Sequence, residues 1–73
     1  MYEDIRRAVQ QAEMSGQKIA MFHYQVLINA DRLKHVRADD FCDAVGMKRS
    51  FTTEYNKMLA LAKLMDEQGV QIR

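Results

Sequence analysis

The sequence predicts an all-α fold, a small bundle of about four helices with a possible short C-terminal strand. Three observations carry that expectation. No proline interrupts the 73 residues, and the three glycines, Gly16, Gly46 and Gly69, are spaced as punctuation between segments. Between them, apolar residues recur at steps of three and four, the helical period. A chain of 73 residues is expected to make a single domain, residues 1–73, and 48% hydrophobic with 29% charged residues describes a chain that folds in water. So short a chain buries only about 60% of the surface it exposes when unfolded, and its own core supplies about 3 to 5 kcal/mol. A homodimer or a partner is therefore expected to add to it.

Tyr2, Ile5, Val9 and Ala12 share one face of a first helix from about Tyr2 to Met14, which Ser15 and Gly16 end. From Lys18 to about Val36, the residues Ile19, Phe22, Val26, Ala30 and Leu33 form one stripe, with Asp31, Arg32 and Lys34 outside it. This predicts a long second helix. Within it, Met21 to Ile28 carries aromatic and β-branched residues that also suit a strand, and period alone does not separate the two over so short a run. A third helix, Ala38 to Val45, opens with Asp39 and Asp40 at the positive end of its dipole and stops at Gly46. The last helix carries the longest signal, with Phe51, Tyr55, Met58, Ala62 and Met65 on a stripe widened by Leu59, Leu61 and Leu64. Ser50 is expected to cap it by accepting a bond from the amide of Thr52 or Thr53, which sets its start near residues 49–51; Gly69 closes it. Val70, Gln71 and Ile72 alternate apolar and polar, so this tail forms either a short strand or a frayed end.

Composition narrows the function. The single cysteine, Cys42, has no partner for an internal disulfide, which points to a reducing, cytoplasmic setting and to a small buried thiol used for packing. No run of about 18 apolar residues is present, so no membrane association is expected. Eleven basic against ten acidic side chains give a formal charge of +1, so any affinity for nucleic acid must come from local pattern. His23, His35 and Cys42 do not fall at metal-ligand spacing, Asp39 and Asp40 are adjacent and so point to different faces, and no glycine-rich phosphate loop occurs. The chain is expected to be no enzyme, to hold no metal or cofactor and to take no small-molecule substrate.

One stretch carries more. Phe41 and Val45 are apolar four residues apart, Cys42 is small, Gly46 follows, Met47 is apolar directly after the glycine, and Tyr55 is bulky nine residues later. In this order they resemble the bihelical core of bacterial and phage helix-turn-helix DNA-binding proteins, over about residues 38–58. The resemblance implies that Gly46 makes the left-handed turn and that the helix after it presents its first turns to a major groove about 12 Å wide. Lys48, Arg49, Ser50, Thr52, Thr53 and Asn56 would then lie nearest duplex DNA, with Lys57 on phosphate. Arg49 has the forked donors that suit guanine, and Asn56 the amide that suits adenine. Ahead of the unit, Arg32, Lys34, His35 and Arg37 form a basic cluster, suited either to phosphates or to a solvated helix end. Two positions depart from the family's pattern: Thr52 stands where an aliphatic residue is usual, one place after Phe51, and Lys48 stands where a serine or threonine cap is usual. The function expected is sequence-specific DNA binding by a small bacterial or phage transcriptional regulator acting as a homodimer. The alternative is a protein-interaction module, or a small subunit of a phage or mobile-element assembly, that docks through the apolar last helix.

Overall fold

A computed structural model describes residues 1–71. It contains α1 (Tyr2–Glu13), α2 (Lys18–Ile28), α3 (Ala30–Leu33), α4 (Ala38–Val45), a 3-10 turn (Arg49–Phe51) and α5 (Thr52–Glu67). The all-α expectation holds among these residues. Met21 to Ile28 is helical, and Val70 and Gln71 form no strand; the third residue of the expected strand, Ile72, lies outside the described residues.

The core is one cluster drawn from every helix: Ile5 and Val9 from α1, Phe22 and Val26 from α2, Leu33 from α3, Phe41, Cys42 and Val45 from α4, and Tyr55 from α5, joined by Met47. Its centre is aromatic. The Phe41 ring lies 4.9 Å from that of Tyr55, 5.8 Å from Phe22 and 6.1 Å from Tyr2, within the range where tilted and edge-on pairs attract. Each such side chain taken out of water contributes about 1.5 to 3 kcal/mol, so this cluster is where most of the fold's stability resides.

The second helix is not continuous. Asn29, at φ −108° and ψ 11°, ends α2, and α3 begins at the next residue. Its side-chain amide donates to the Gln25 carbonyl at 2.8 Å, competing with the main-chain ladder, while its own carbonyl accepts from the amides of Arg32 and Leu33. The break lets Leu33 reach the core, where it is fully buried. Ile19 departs from the expected stripe as well: it is 50% exposed, because the first turn of α2 reaches past the core to the rim beside Met47 and Phe51. On α5 only Tyr55 is fully buried; Met58, Leu59, Ala62 and Met65 are half-buried, and Leu61 and Leu64 face water. A helix of 16 residues is about 24 Å long. The bundle measures 33 × 24 × 20 Å, and the C-terminal half of α5 contributes no residue to the buried core.

Candidate nucleic-acid interface

The two helices of the candidate unit are α4 and α5. Asp39 and Asp40 occupy the first turn of α4, where their charges favour the helix dipole. Its other end is closed by Gly46 at φ +77°, ψ 25°. The Met47 amide donates to the Cys42 carbonyl at 2.8 Å and that of Gly46 to Asp43 at 3.4 Å, the paired bonds of a left-handed helix stop. A residue with a Cβ would be strained at that φ, asparagine and aspartate least. The stop turns Met47 into the core, and Lys48, extended at φ −65°, ψ 148°, leads out of it into the 3-10 turn.

Tyr55 fixes the rotation of α5 about its own axis. The side chain is 1% exposed, and its hydroxyl donates toward the carbonyls of Leu33 at 2.9 Å and Val36 at 2.8 Å. With Tyr55 inward, helical geometry turns Thr53, Asn56 and Lys57 outward, and all three are exposed. Lys48, Arg49 and Ser50 are exposed ahead of them, whereas Thr52 is half-buried. The departure at residues 51 and 52 has a structural reason. Phe51 packs edge-on against Phe22 at 5.9 Å and takes the place of an aliphatic residue, while the 3-10 turn delays the α-helix to Thr52. Ser50 consequently does not cap: it lies inside the turn, the residue before α5 is Phe51, and no side-chain cap bond is made.

Carboxylates stand close to these cations. Arg49 donates from Nη2 to Asp43 Oδ2 at 2.8 Å and from Nε to Oδ1 at 3.4 Å, a forked pair across the turn. That bonding holds the Asp43 carboxyl below the usual carboxylate range and raises the guanidinium above its own, with Asp39 and Asp40 adding to the field at Arg49. On the other flank Glu54 lies 3.0 Å from His23 Nε2 and 3.6 Å from Lys57 Nζ. The basic residues therefore share no face free of acidic ones.

The cluster at residues 32–37 is divided. Arg37 leads into α4, adjacent to the Val36 carbonyl that holds Tyr55, and so lies at the root of the unit. Lys34 instead lines an open groove of about 720 Å³ with Asp31, Lys63 and Asp66, beside the C-terminal half of α5. Two cations missed by sequence reasoning stand at the turn. Arg6 of α1 would lie 3.8 Å from a Cβ placed on Gly46, and Lys18 shares a shallow recess with Gly46, Met47, Lys48 and Phe51. Their remoteness along the chain left no local signal. Cys42 is fully buried, and burial, then Asp39 and Asp43, pushes its thiol up, which leaves it unreactive packing.

The fold, the glycine stop and the outward face of α5 are those of a helix-turn-helix, an arrangement used generally to bind DNA. No curated protein and no solved structure matches this chain. A family model described as an HTH-like domain matches residues 1–68, nearly the full length, and the chain belongs to that family.

Proposed function

We propose that the chain binds duplex DNA sequence-specifically by setting the N-terminal turns of α5 into the major groove, and that it acts as a cytoplasmic transcriptional regulator in dimeric form. Thr53 and Asn56 face the base edges in this reading, with Lys48, Ser50 and Thr52 at the groove entrance. Lys57 and Arg37 take phosphates, joined by Arg6 and Lys18 beside the turn. Arg49 reaches guanine only by leaving Asp43, so its contribution depends on that exchange. The observation that carries the reading is the anchoring of Tyr55, which dictates that Thr53, Asn56 and Lys57 point away from the core.

DNA is titrated at two salt concentrations with the wild type and with Asn56→Ala and Lys57→Ala. Loss of a base contact weakens preferred sites by about 1 to 3 kcal/mol and relaxes specificity; loss of a phosphate contact weakens all sequences and lowers the salt slope by about one. Affinity indifferent to salt and to both substitutions removes the reading. The protein-interaction alternative would then stand, favoured by the exposure of Leu61 and Leu64 at 39% and 51%.

A further inference from the structure

His23 of α2 meets the first turn of α5 from the side. Its Nε2 lies 3.0 Å from Glu54 Oε1, and the other oxygen of that carboxylate, Oε2, lies 3.6 Å from Lys57 Nζ. One carboxylate is thus shared between side chains of two helices. Lys57 is 65% exposed on the outward face that Tyr55 sets, whereas the imidazole and the carboxylate are 29% and 32% exposed. The helices packed against α2 are α1, α3 and α5. From α5 the charged groups are Glu54 and, behind it, Lys57; from α1, Glu13 is occupied by Lys18 at 3.4 Å. Toward α3, Asp31 and Lys34 line the groove with Lys63 and Asp66 that begins at Leu27, a turn beyond His23. Among the described residues Glu54 is the one carboxylate paired with His23.

We propose that His23 is a positioning residue that couples DNA binding to the uptake of a proton: when charged it takes Glu54 and leaves Lys57 to phosphate. The inference deepens the DNA reading above and rests on it. Charge counting sets the sign. With His23 neutral, the Glu54 carboxylate cancels the Lys57 ammonium and the three side chains carry no net charge. With His23 charged they carry one positive charge, on the flank of α5 where phosphate would lie. The imidazole nitrogen stands closer to the carboxylate than the ammonium does, 3.0 Å against 3.6 Å, so a charged His23 is the stronger partner and Lys57 loses its local competitor.

Histidine is the side chain whose charge changes between about pH 5 and pH 8. Phosphate brought up to Lys57 favours the charged form, so binding draws a proton from solution and affinity rises as pH falls. The gain is that of one exposed ion pair, about two- to fivefold, with up to about one added to the salt slope. In a chain of formal charge +1 that single proton doubles the net charge. The other histidine, His35, is exposed between α3 and α4 and pairs with no carboxylate among the described residues, so it serves as the control.

Titration of the full chain with a mixed-sequence duplex of about 30 base pairs, at fixed salt from about pH 8 to about pH 5.5, tests the inference. Over that range wild-type affinity is expected to rise about two- to fivefold more than that of His23→Gln, which keeps a hydrogen-bond donor but gains no charge. His35→Gln is expected to keep the part of the pH dependence that His23→Gln loses. Glu54→Gln, which frees Lys57 outright, is expected to bind at the alkaline end about as tightly as wild type does at the acid end. Circular dichroism checks that each variant keeps wild-type helicity. A His23→Gln protein with the wild-type pH profile, or a Glu54→Gln protein no tighter than wild type at the alkaline end, overturns the inference. If binding is salt-dependent in the same titrations, that result leaves the proposed function standing. Absence of binding at every pH overturns the proposed function, and this inference with it.

Discussion

Replacing Tyr55 by phenylalanine keeps the ring in the core and removes one oxygen. The hydroxyl reaches back to α3 and the α3–α4 connection, donating toward Leu33 at 2.9 Å and Val36 at 2.8 Å. The Leu33 carbonyl also accepts from the Val36 amide at 2.8 Å and keeps that partner, whereas the Val36 carbonyl loses the hydroxyl. The Val36 bond is part-buried, so stranding that acceptor costs about 1 kcal/mol, the lower end of the range for a buried group. For a domain of this size each kcal/mol moves the melting temperature by about 4 to 8 °C, so a fall of about 4 to 8 °C is expected. A second signature follows from the phenol itself, which burial pushes up to about 12 from an ordinary value of 10.0. The unfolded chain ionises near the ordinary value and the folded chain does not. The stabilisation is therefore complete below pH 10 and lost as pH rises through 12, by about 2 to 3 kcal/mol in total. Tyr55→Phe has no such group, so the stability gap between wild type and variant should close as pH is raised through that window. Urea unfolding followed by circular dichroism at neutral pH and in alkaline steps measures both, and groups common to the two proteins cancel in the difference. A variant within about 0.5 kcal/mol of wild type at neutral pH, or a gap that stays constant in alkali, would refute the assignment of Tyr55 as the pin of α5.

Gly46→Ala should cost about 1 to 2 kcal/mol from the positive φ alone, because the added methyl would meet only Arg6 Nε at 3.8 Å; thermal unfolding measures it. Gly46→Asn should recover part of that loss, since asparagine tolerates the left-handed region. Asp43→Asn should leave stability unchanged, the pair with Arg49 being fully exposed, yet raise DNA affinity and steepen its salt dependence by freeing the guanidinium; unaltered titrations would show that Arg49 takes no part in binding. Cys42 should react with iodoacetamide only as fast as the domain unfolds, tracked by mass spectrometry across a denaturant series, because the thiol is fully buried and held up by its surroundings.

Much of the fold is legible from three- and four-residue spacings because helical periodicity is local. The stripes Ile5–Val9–Ala12 and Phe22–Val26–Leu33 are buried as they read, and Gly46 stops α4 where its position implies. The misreadings fall where one side chain overrides the local period. Asn29 interrupts the second helix because its amide competes for the Gln25 carbonyl, a bond invisible to a pattern of apolar residues. Ser50 fails to cap because Phe51 is drawn toward Phe22, some thirty residues away, which tightens the start of α5 into a 3-10 turn. The candidate interface is legible to the same degree. The outward residues of α5 follow from Tyr55 alone, whereas the Arg49–Asp43 pair and the presence of Arg6 and Lys18 at the turn depend on packing between α1, α2 and α4.

The acidic residues of α4 bear on how such a domain could be specific. Asp39 and Asp40 favour the helix they begin, and Asp43 holds Arg49, so α4 is stabilised by charges that repel the phosphates its neighbour would approach. A single copy with formal charge +1 then has little of the sequence-independent attraction that usually dominates DNA affinity. Weak attraction is an advantage when two copies act together. Nonspecific binding by a basic monomer is about 10⁻⁴ to 10⁻⁶ M in Kd, and each added phosphate contact strengthens wrong sites as much as right ones. Joining two reading helices in a dimer would instead multiply only the affinity for sites spaced to meet both. The second contact would form at an effective concentration that can reach millimolar, gaining about 10² to 10⁴ in avidity without a new charge. On the proposed DNA reading, the carboxylates beside Arg49 would lower the background, and pairing of two copies would restore affinity only where two half-sites are present.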